Sequence, residues 1–229
     1  MDILKIENLS KSFGNNKVLD GVTFSVKPGE IVGLLGKNGS GKTTVLKIVN
    51  DLLTIDKGEV TVMGEKISER TKAVVSFLPE RTYLEPNITV NQAIDYFAEF
   101  YADFDKQKAY NMLEDLELLP TMKLNKMSKG MKEKVQLVLV MSRNAKLYIL
   151  DEPLGGVDPA TREHILQTIL KSFGEDNSLI ITTHMIADVE NILDRAIFID
   201  KGKIVLDEFA ETLRERENAS IDEIFRRTV

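Results

Sequence analysis

The chain has 229 residues, enough for one large domain with a generous core, or for a core carrying an inserted lobe, but short of two full domains. Hydrophobic residues make up 43% and charged residues 29%, which excludes disordered and fibrous classes. The net charge of −6 leaves no overall positive field to hold a nucleic-acid backbone. With no cysteine there is no disulfide framework, thiolate nucleophile or zinc ribbon, which suits a reducing cytoplasm.

From the start, Met1 to Glu7 alternates like a strand and lacks the basic segment and long apolar core of a secretion signal. The spacing predicts strands over Ile3 to Leu9 and Gly21 to Val26, with a turn over Phe13 to Lys17, as an antiparallel sheet. Glu30 to Leu35 reads as a buried parallel strand and Val45 to Val49 as a helix. Between them Gly36-Lys37-Asn38-Gly39-Ser40-Gly41-Lys42-Thr43-Thr44 fits the phosphate-binding pattern G-x-x-x-x-G-K-[ST] in the strand-loop-helix context that the motif requires. A loop poor in Cβ atoms curls its backbone N–H groups around phosphate oxygens, and the helix N-terminus adds further donors. Gly36, Asn38, Gly39, Ser40, Gly41 and Thr44 therefore belong to a nucleotide site, with Lys42 set against the β- and γ-phosphates. The Thr43 hydroxyl is positioned to ligate Mg²⁺, and Thr44 supports the start of the helix.

Beyond the loop, strands are expected over Lys57 to Gly64 and Ala73 to Leu78. Helical spacing then runs through Val90 to Tyr101, Lys106 to Leu119 and a third helix after Ser128, which together form a lobe inserted at residues 80–141. Lys129, Lys132 and Lys134 are expected on a solvated face. Val135 to Met141, the most apolar run, is far shorter than the roughly 20 residues that cross a bilayer, so any membrane association comes through a partner. Strands return at Leu147 to Leu150, Ser178 to Thr183, Ala196 to Ile199 and Lys203 to Leu206, separated by helices over Thr161 to Ser172 and Ala187 to Leu193. The fold class is α/β, with 1–229 as one domain and a helical tail at 207–229.

The strand Leu147 to Leu150 runs into Asp151-Glu152-Pro153. Two acids at the carboxyl end of an apolar strand are costly unless a cation awaits. Asp151 is placed to hold Mg²⁺, directly or through water, and Glu152 to orient and deprotonate an attacking water as general base. A kinase has no need of Glu152.

Two further segments, Met127-Ser128-Lys129-Gly130-Met131 and His184 after the strand ending Thr182-Thr183, complete a pattern. At nearly full length, and in the expected order, the chain resembles the ATP-binding subunit of an ATP-binding-cassette (ABC) transporter. The resemblance implies a P-loop NTPase core of mostly parallel sheet with flanking helices, an N-terminal antiparallel β subdomain and the inserted helical lobe. It implies an ATPase using ATP and Mg²⁺ whose two subunits, identical or homologous, pair head to tail. Ser128 and the Gly130 backbone then reach the γ-phosphate held by the other subunit, and Asp158, in the loop Gly155-Gly156-Val157-Asp158, senses the pairing. It further implies that His184 bonds the γ-phosphate or the attacking water and that Phe13 stacks on adenine, where the family usually has tyrosine. The partners implied are a second ATPase subunit and a polytopic membrane permease on a separate chain, with no nucleic acid, which places the protein at the cytoplasmic side of the membrane. The lobe aromatics Tyr96, Phe97, Phe100, Tyr101 and Phe104 are expected to be mostly core, with one or two touching the permease.

Besides Phe13, two further positions depart from the family pattern. Lys129 replaces the first of two adjacent glycines and is expected to point to solvent. Glu80 stands where a glutamine is common; it is a further candidate metal ligand, and its charge is expected to slow the intrinsic ATPase. The signature segment and the tail over Ser220 to Phe225 are similar to those of small bacterial exporter ATPases, which suggests export. The rival reading is a soluble ABC-type ATPase acting on nucleic acid, which usually separates phosphate loop and signature segment by a long coiled coil; here the intervening lobe is short and the charge acidic.

Overall fold

A computed structural model of the chain describes residues 1–229 apart from Gly156 and Glu175, and leaves out the side chains of Pro159, Ala160 and Ser172. Elements are numbered along the chain. Two sheets organise it. The first is antiparallel, with strand order β2-β1-β4-β5, built from β1 (Leu4–Phe13), β2 (Asn16–Val26), β4 (Lys57–Val62) and β5 (Glu65–Lys66). The second has the order β10-β9-β3-β8-β7-β6, from β3 (Ile31–Leu35), β6 (Val75–Leu78), β7 (Leu147–Asp151), β8 (Ser178–Thr183), β9 (Arg195–Asp200) and β10 (Lys203–Phe209). Its pairings are parallel except that of β10 with β9.

The burial of these strands follows their place. β3, β7 and β8 are buried at every position, as central strands covered on both faces must be. β10, at the edge, has no fully buried residue. Neighbouring residues of β3 serve different cores: Leu34 packs with Leu4, Leu46, Ile149 and Ile180 between the sheets, and Leu35 with Ile94, Leu113, Leu139 and Ile181 under the lobe. The period-two geometry of a strand makes that division.

The helices are α1 (Lys42–Val49), α2 (Glu69–Ala73), α3 (Val90–Phe100), α4 (Lys106–Asp115), α5 (Lys129–Met141), α6 (Pro159–Ser172), α7 (Ile186–Val189), α8 (Ala210–Glu217) and α9 (Ile221–Thr228). Their starts are chemically marked. Thr89 and Gln92 form a capping box on α3, Asp105 accepts from Lys108 N at 2.9 Å, and Ser220 with Glu223 boxes the start of α9. α3, α4 and α5 fall between β6 and β7, and the amphipathic α9 buries Ile221, Ile224 and Phe225, the last with its ring edge-on to Phe198 at 5.2 Å.

Several boundaries differ from expectation for local reasons. β1 and β2 run on to a tight turn at Gly14-Asn15, so the expected turn over 13–17 narrows; register irregularities after Ile6, Leu9 and Lys11 interrupt the alternation that marks a strand. Ala73 ends α2 instead of opening a strand, because Ser68 and Thr71 form a capping box that starts a helical turn. α4 stops at Asp115, short of Leu119, where Glu117 takes a left-handed φ of 56°. The helix expected over Ala187 to Leu193 divides into α7 and a 3₁₀ turn at Glu190–Ile192.

One side chain ties the lobe to the second sheet. Arg143, buried after α5, pairs with both oxygens of Asp103 at 3.0 Å, donates to Val75 O at 2.7 Å and Ala73 O at 2.5 Å, and stacks 4.0 Å over the Tyr101 ring. The planar guanidinium satisfies all of these at once, which an ammonium cannot. Arg143→Ala should therefore lower stability by about 3 kcal/mol, through the stranded carboxylate and carbonyls, with Asp103→Asn costing less; urea denaturation of the two variants checks the order.

Candidate nucleotide site

The site forms at the carboxyl ends of the parallel strands, where α/β sheets place their ligands. β3 lies between β8 and β9, so the loop from Gly36 to Gly41 leaves the middle of the sheet and enters α1. Gly41 at the helix N-cap has φ 113°, and a Cβ there would meet the Leu19 side chain at 2.7 Å. At Gly36 a Cβ would come within 2.5 Å of Ile199 O. Lys42 is buried, and its Nζ donates to Gly36 O at 2.6 Å and Lys37 O at 3.2 Å, with Glu152 Oε1 at 3.8 Å. Burial pushes the ammonium below its usual pKa range, while Glu152 and Asp151 oppose that pull.

Asp151 ends β7 and is 1% exposed. Its Oδ1 accepts from Thr182 Oγ1 at 2.6 Å and lies 3.4 Å from Thr43 Oγ1, while its buried Oδ2 makes no hydrogen bond. Burial pushes this carboxyl up, against the hydrogen bonds from Thr182 and Thr43. Glu152 turns out of the strand with φ 52°, a conformation costly for a residue with a side chain. Its N donates to Thr182 O at 3.0 Å, its Oε2 meets His184 Nδ1 at 2.9 Å, and its buried Oε1 makes no hydrogen bond. Lys42 and Glu152 open on a cleft of about 1160 Å³ that Asn38, Gly39, Thr43, Thr44 and His184 also line, with Asp151 buried beside Thr43. Ser40 lies in the same loop with its Oγ buried and without a hydrogen bond.

Facing the phosphate loop across this cleft are Glu80, Arg81, Lys129, Lys132 and Glu133. Lys129 is exposed as expected, but into the mouth of the cleft. Lys132 and Lys134 are only half-exposed, because the first turns of α5 lie close to other walls of the molecule. Glu80 makes no hydrogen bond or ion pair among the described residues, and its charge is felt by Lys42 and Asp151. Ser128 caps α5, accepting from Met131 N at 3.2 Å, and a Cβ on Gly130 would meet only Val157, at 3.6 Å. Asp158 caps α6, its two oxygens taking Thr161 N at 3.1 Å and Thr161 Oγ1 at 2.6 Å. Gly156 lies outside the described residues. Phe13 is 48% exposed, so it is not a core residue of the antiparallel sheet; it does not line the cleft, whose rim there comes from Asn16 and Val18.

The buried, unpartnered Oδ2 of Asp151 beside Thr43 fits a hard divalent cation. Among the described residues no cluster of three or more His, Cys, Asp or Glu could hold a metal. Sequence reasoning did not single out Thr182, whose hydroxyl orients Asp151, or the pairing of His184 with Glu152. Parallel register could have found both, since Asp151 sits opposite Thr182 on adjacent strands.

A phosphate loop on a mostly parallel sheet, with a strand-end acid pair, defines a P-loop NTPase. The comparisons narrow this: residues 19–155 match the family model described as ABC transporter. "ABC transporter ATP-binding protein YtrB" of Bacillus subtilis (strain 168) is 32% identical over 216 residues, covering 91% of this chain and 74% of the relative. "SkfA peptide export ATP-binding protein SkfE" of the same organism is 30% identical over 222 residues, covering 94% and 93%. Among solved structures, an ATP-binding subunit of an ABC transporter superposes with a TM-score of 0.89 at 26% identity over 99% of both chains. The ADP conformation of MJ1267, an ATP-binding cassette of an ABC transporter, does so at 0.79 with 26% identity over 99% of this chain and 98% of that one. The chain belongs to the ABC transporter family, as an ATP-binding subunit and transport-coupled ATPase. Among the described residues no helix is long and apolar enough to cross a membrane.

Asp151 is a buried acid with a raised pKa and an unpartnered oxygen, a stability cost carried for function. Asp151→Asn should raise the free energy of unfolding, measured by urea denaturation without nucleotide or Mg²⁺, by about 1 kcal/mol at neutral pH. Because the folded-state pKa lies above the unfolded one, the native acid favours folding less as pH rises between those two values. The Asn variant should lose that part of the slope, and equal profiles would count against the assignment.

Proposed function

We propose that this chain is one of two ATPase subunits, identical or homologous, that pair head to tail around two Mg-ATP molecules and drive a separate polytopic membrane permease in export. The carrying observation is the orphaned pair of buried oxygens on adjacent residues, Asp151 Oδ2 and Glu152 Oε1, of which Glu152 lines an open cleft beside the phosphate-loop lysine. Groups so desolvated and unpaired are what a cation and a water are needed to satisfy.

The backbone N–H groups from Gly36 to Thr44 cradle the phosphates, and the Lys42 ammonium exchanges loop carbonyls for phosphate oxygens. Thr43, Asp151 and Glu80 would hold Mg²⁺, which neutralises charge on the departing phosphate. Glu152 takes the proton of the attacking water, and His184 holds that carboxylate at 2.9 Å and points it. Phe13 offers its exposed face to adenine. Ser128 and the Gly130 N–H of the second copy meet the γ-phosphate at the start of α5, and Asp158 fixes the turn by which the copies sense each other.

Export is supported by relatives such as the SkfA peptide export ATP-binding protein SkfE. The permease side lies on the lobe, where Tyr96 and Phe100 are 62% and 68% exposed and stacked at 6.2 Å, while Phe97 is buried and Tyr101 and Phe104 are partly so. Through that contact the protein sits at the cytoplasmic face of the membrane.

Lys42→Ala should lose ATP binding by calorimetry; unchanged affinity would remove the lysine from the phosphate site. Glu152→Gln should still bind ATP, hydrolyse it about a hundredfold more slowly, and elute from a sizing column as a dimer with ATP and a monomer without. A variant that stays monomeric at saturating ATP would overturn the shared-site reading.

A further inference from the structure

Two side chains of the cleft stand at the positions where the chain departs from the family pattern, and they are opposite in charge: Glu80 on one wall and Lys129 on the start of α5. Building on the shared-site reading above, we propose that Lys129 is a positioning residue for ATP across the pair. It supplies, to the γ-phosphate held by one copy, the positive charge that Glu80 of that copy takes away.

Glu80 is a free carboxylate on the cleft wall. It has no hydrogen bond or ion pair among the described residues, yet its field reaches both Lys42 and Asp151. A triphosphate gripped by Lys42 lies within that field and is repelled by it. A glutamine at this position would offer Mg²⁺ an oxygen without the charge, so with Glu80 the phosphate site carries one more negative charge than the glutamine form.

Lys129 is built to provide one. It is the first residue of a 13-residue helix, beside the N-cap Ser128, where backbone donors already favour an anion. Its side chain is 79% exposed, and among the described residues its one ion-pair partner is Glu133 Oε1, at 3.6 Å. An ion pair that long and that wet restrains a lysine little. Glu133 is also a weak rival to a triphosphate, since burial pushes its carboxyl up and leaves its Oε2 without a hydrogen bond. The lysine stem is long enough to swing away from Glu133 toward an anion presented at the start of α5, and a glycine at this place would remove that charge. Wherever the signature Ser128 is presented to a second copy's nucleotide, Lys129 goes with it.

The test is a double-mutant cycle in the slow Glu152→Gln background, reading by analytical ultracentrifugation the ATP concentration that gives half dimer. Lys129→Met keeps the stem and the helix but removes the charge. It should raise the ATP required about tenfold with Glu80 present, and less than about threefold when Glu80→Gln is also present, as expected of groups that act on each other. Lys129→Arg should keep the low ATP requirement, and matching urea midpoints exclude a folding effect. An equal shift with Glu80 intact and with Glu80→Gln, or no shift, overturns the proposal and leaves the shared site standing. Absence of any ATP-driven dimer in all four proteins overturns the shared site, and the proposal with it.

Discussion

The structure turns on a desolvated acid pair at the end of a wholly buried strand. β7 is apolar until Asp151, and the carboxylates there are too deep for water to satisfy and have too few protein donors to be neutralised. Thr182 and, at longer range, Thr43 each supply one hydrogen bond to Asp151, His184 donates its backbone N–H and pairs its ring nitrogen with Glu152, and Lys42 stands at 3.8 Å, outside hydrogen-bond distance. Much of the architecture serves to keep this arrangement in place. Parallel pairing with β8 brings Thr182 and His184 alongside, and β3 delivers the phosphate loop to the same end of the sheet. The left-handed turn at Glu152 aims the second carboxylate away from the first. Fold energy comes from the two apolar clusters on either side of the sheet, and part of it is held against this local cost.

How much of this was legible in the sequence depends on the range of the interaction. The phosphate loop is local, set by glycines and a lysine in nine consecutive residues, and its strand and helix stand where the pattern put them. The acid pair was readable because an unbroken apolar strand cannot end in two carboxylates without a purpose. What escaped was register. Thr182 lies 31 residues from Asp151, and nothing in either segment says which residues face each other until the strands are paired. The same holds for Arg143, whose bonds to Asp103, Ala73 and Val75 span up to 70 residues. Boundary errors were of another kind: bulges in β1 hid a strand's length, and the capping box at Ser68 starts a helical turn that takes in Ala73, the residue expected to open a strand.

Membership of the ABC transporter family rests on agreement over the whole chain, from the family match at 19–155 to a superposition covering 99% of a solved subunit. Against that shared background the chain's own character lies in charge. Glu80, Lys129 and Glu133 line the wall facing the phosphate loop, so that wall is more strongly ionic than glutamine and glycine at 80 and 129 would make it. Interactions of this kind are sensitive to salt, more so at the open mouth of the cleft than beside Asp151.

Arg143 gives the lobe a mechanical character. Its guanidinium joins Asp103, between α3 and α4, to the backbone at the base of β6, and the far end of that short strand leads within two residues to Glu80. A load on the outer helices is therefore borne at a fulcrum and not lost in slack chain. The lobe is thereby braced as one stiff piece, from the exposed aromatics of α3 at one end to the cleft wall at Glu80 at the other.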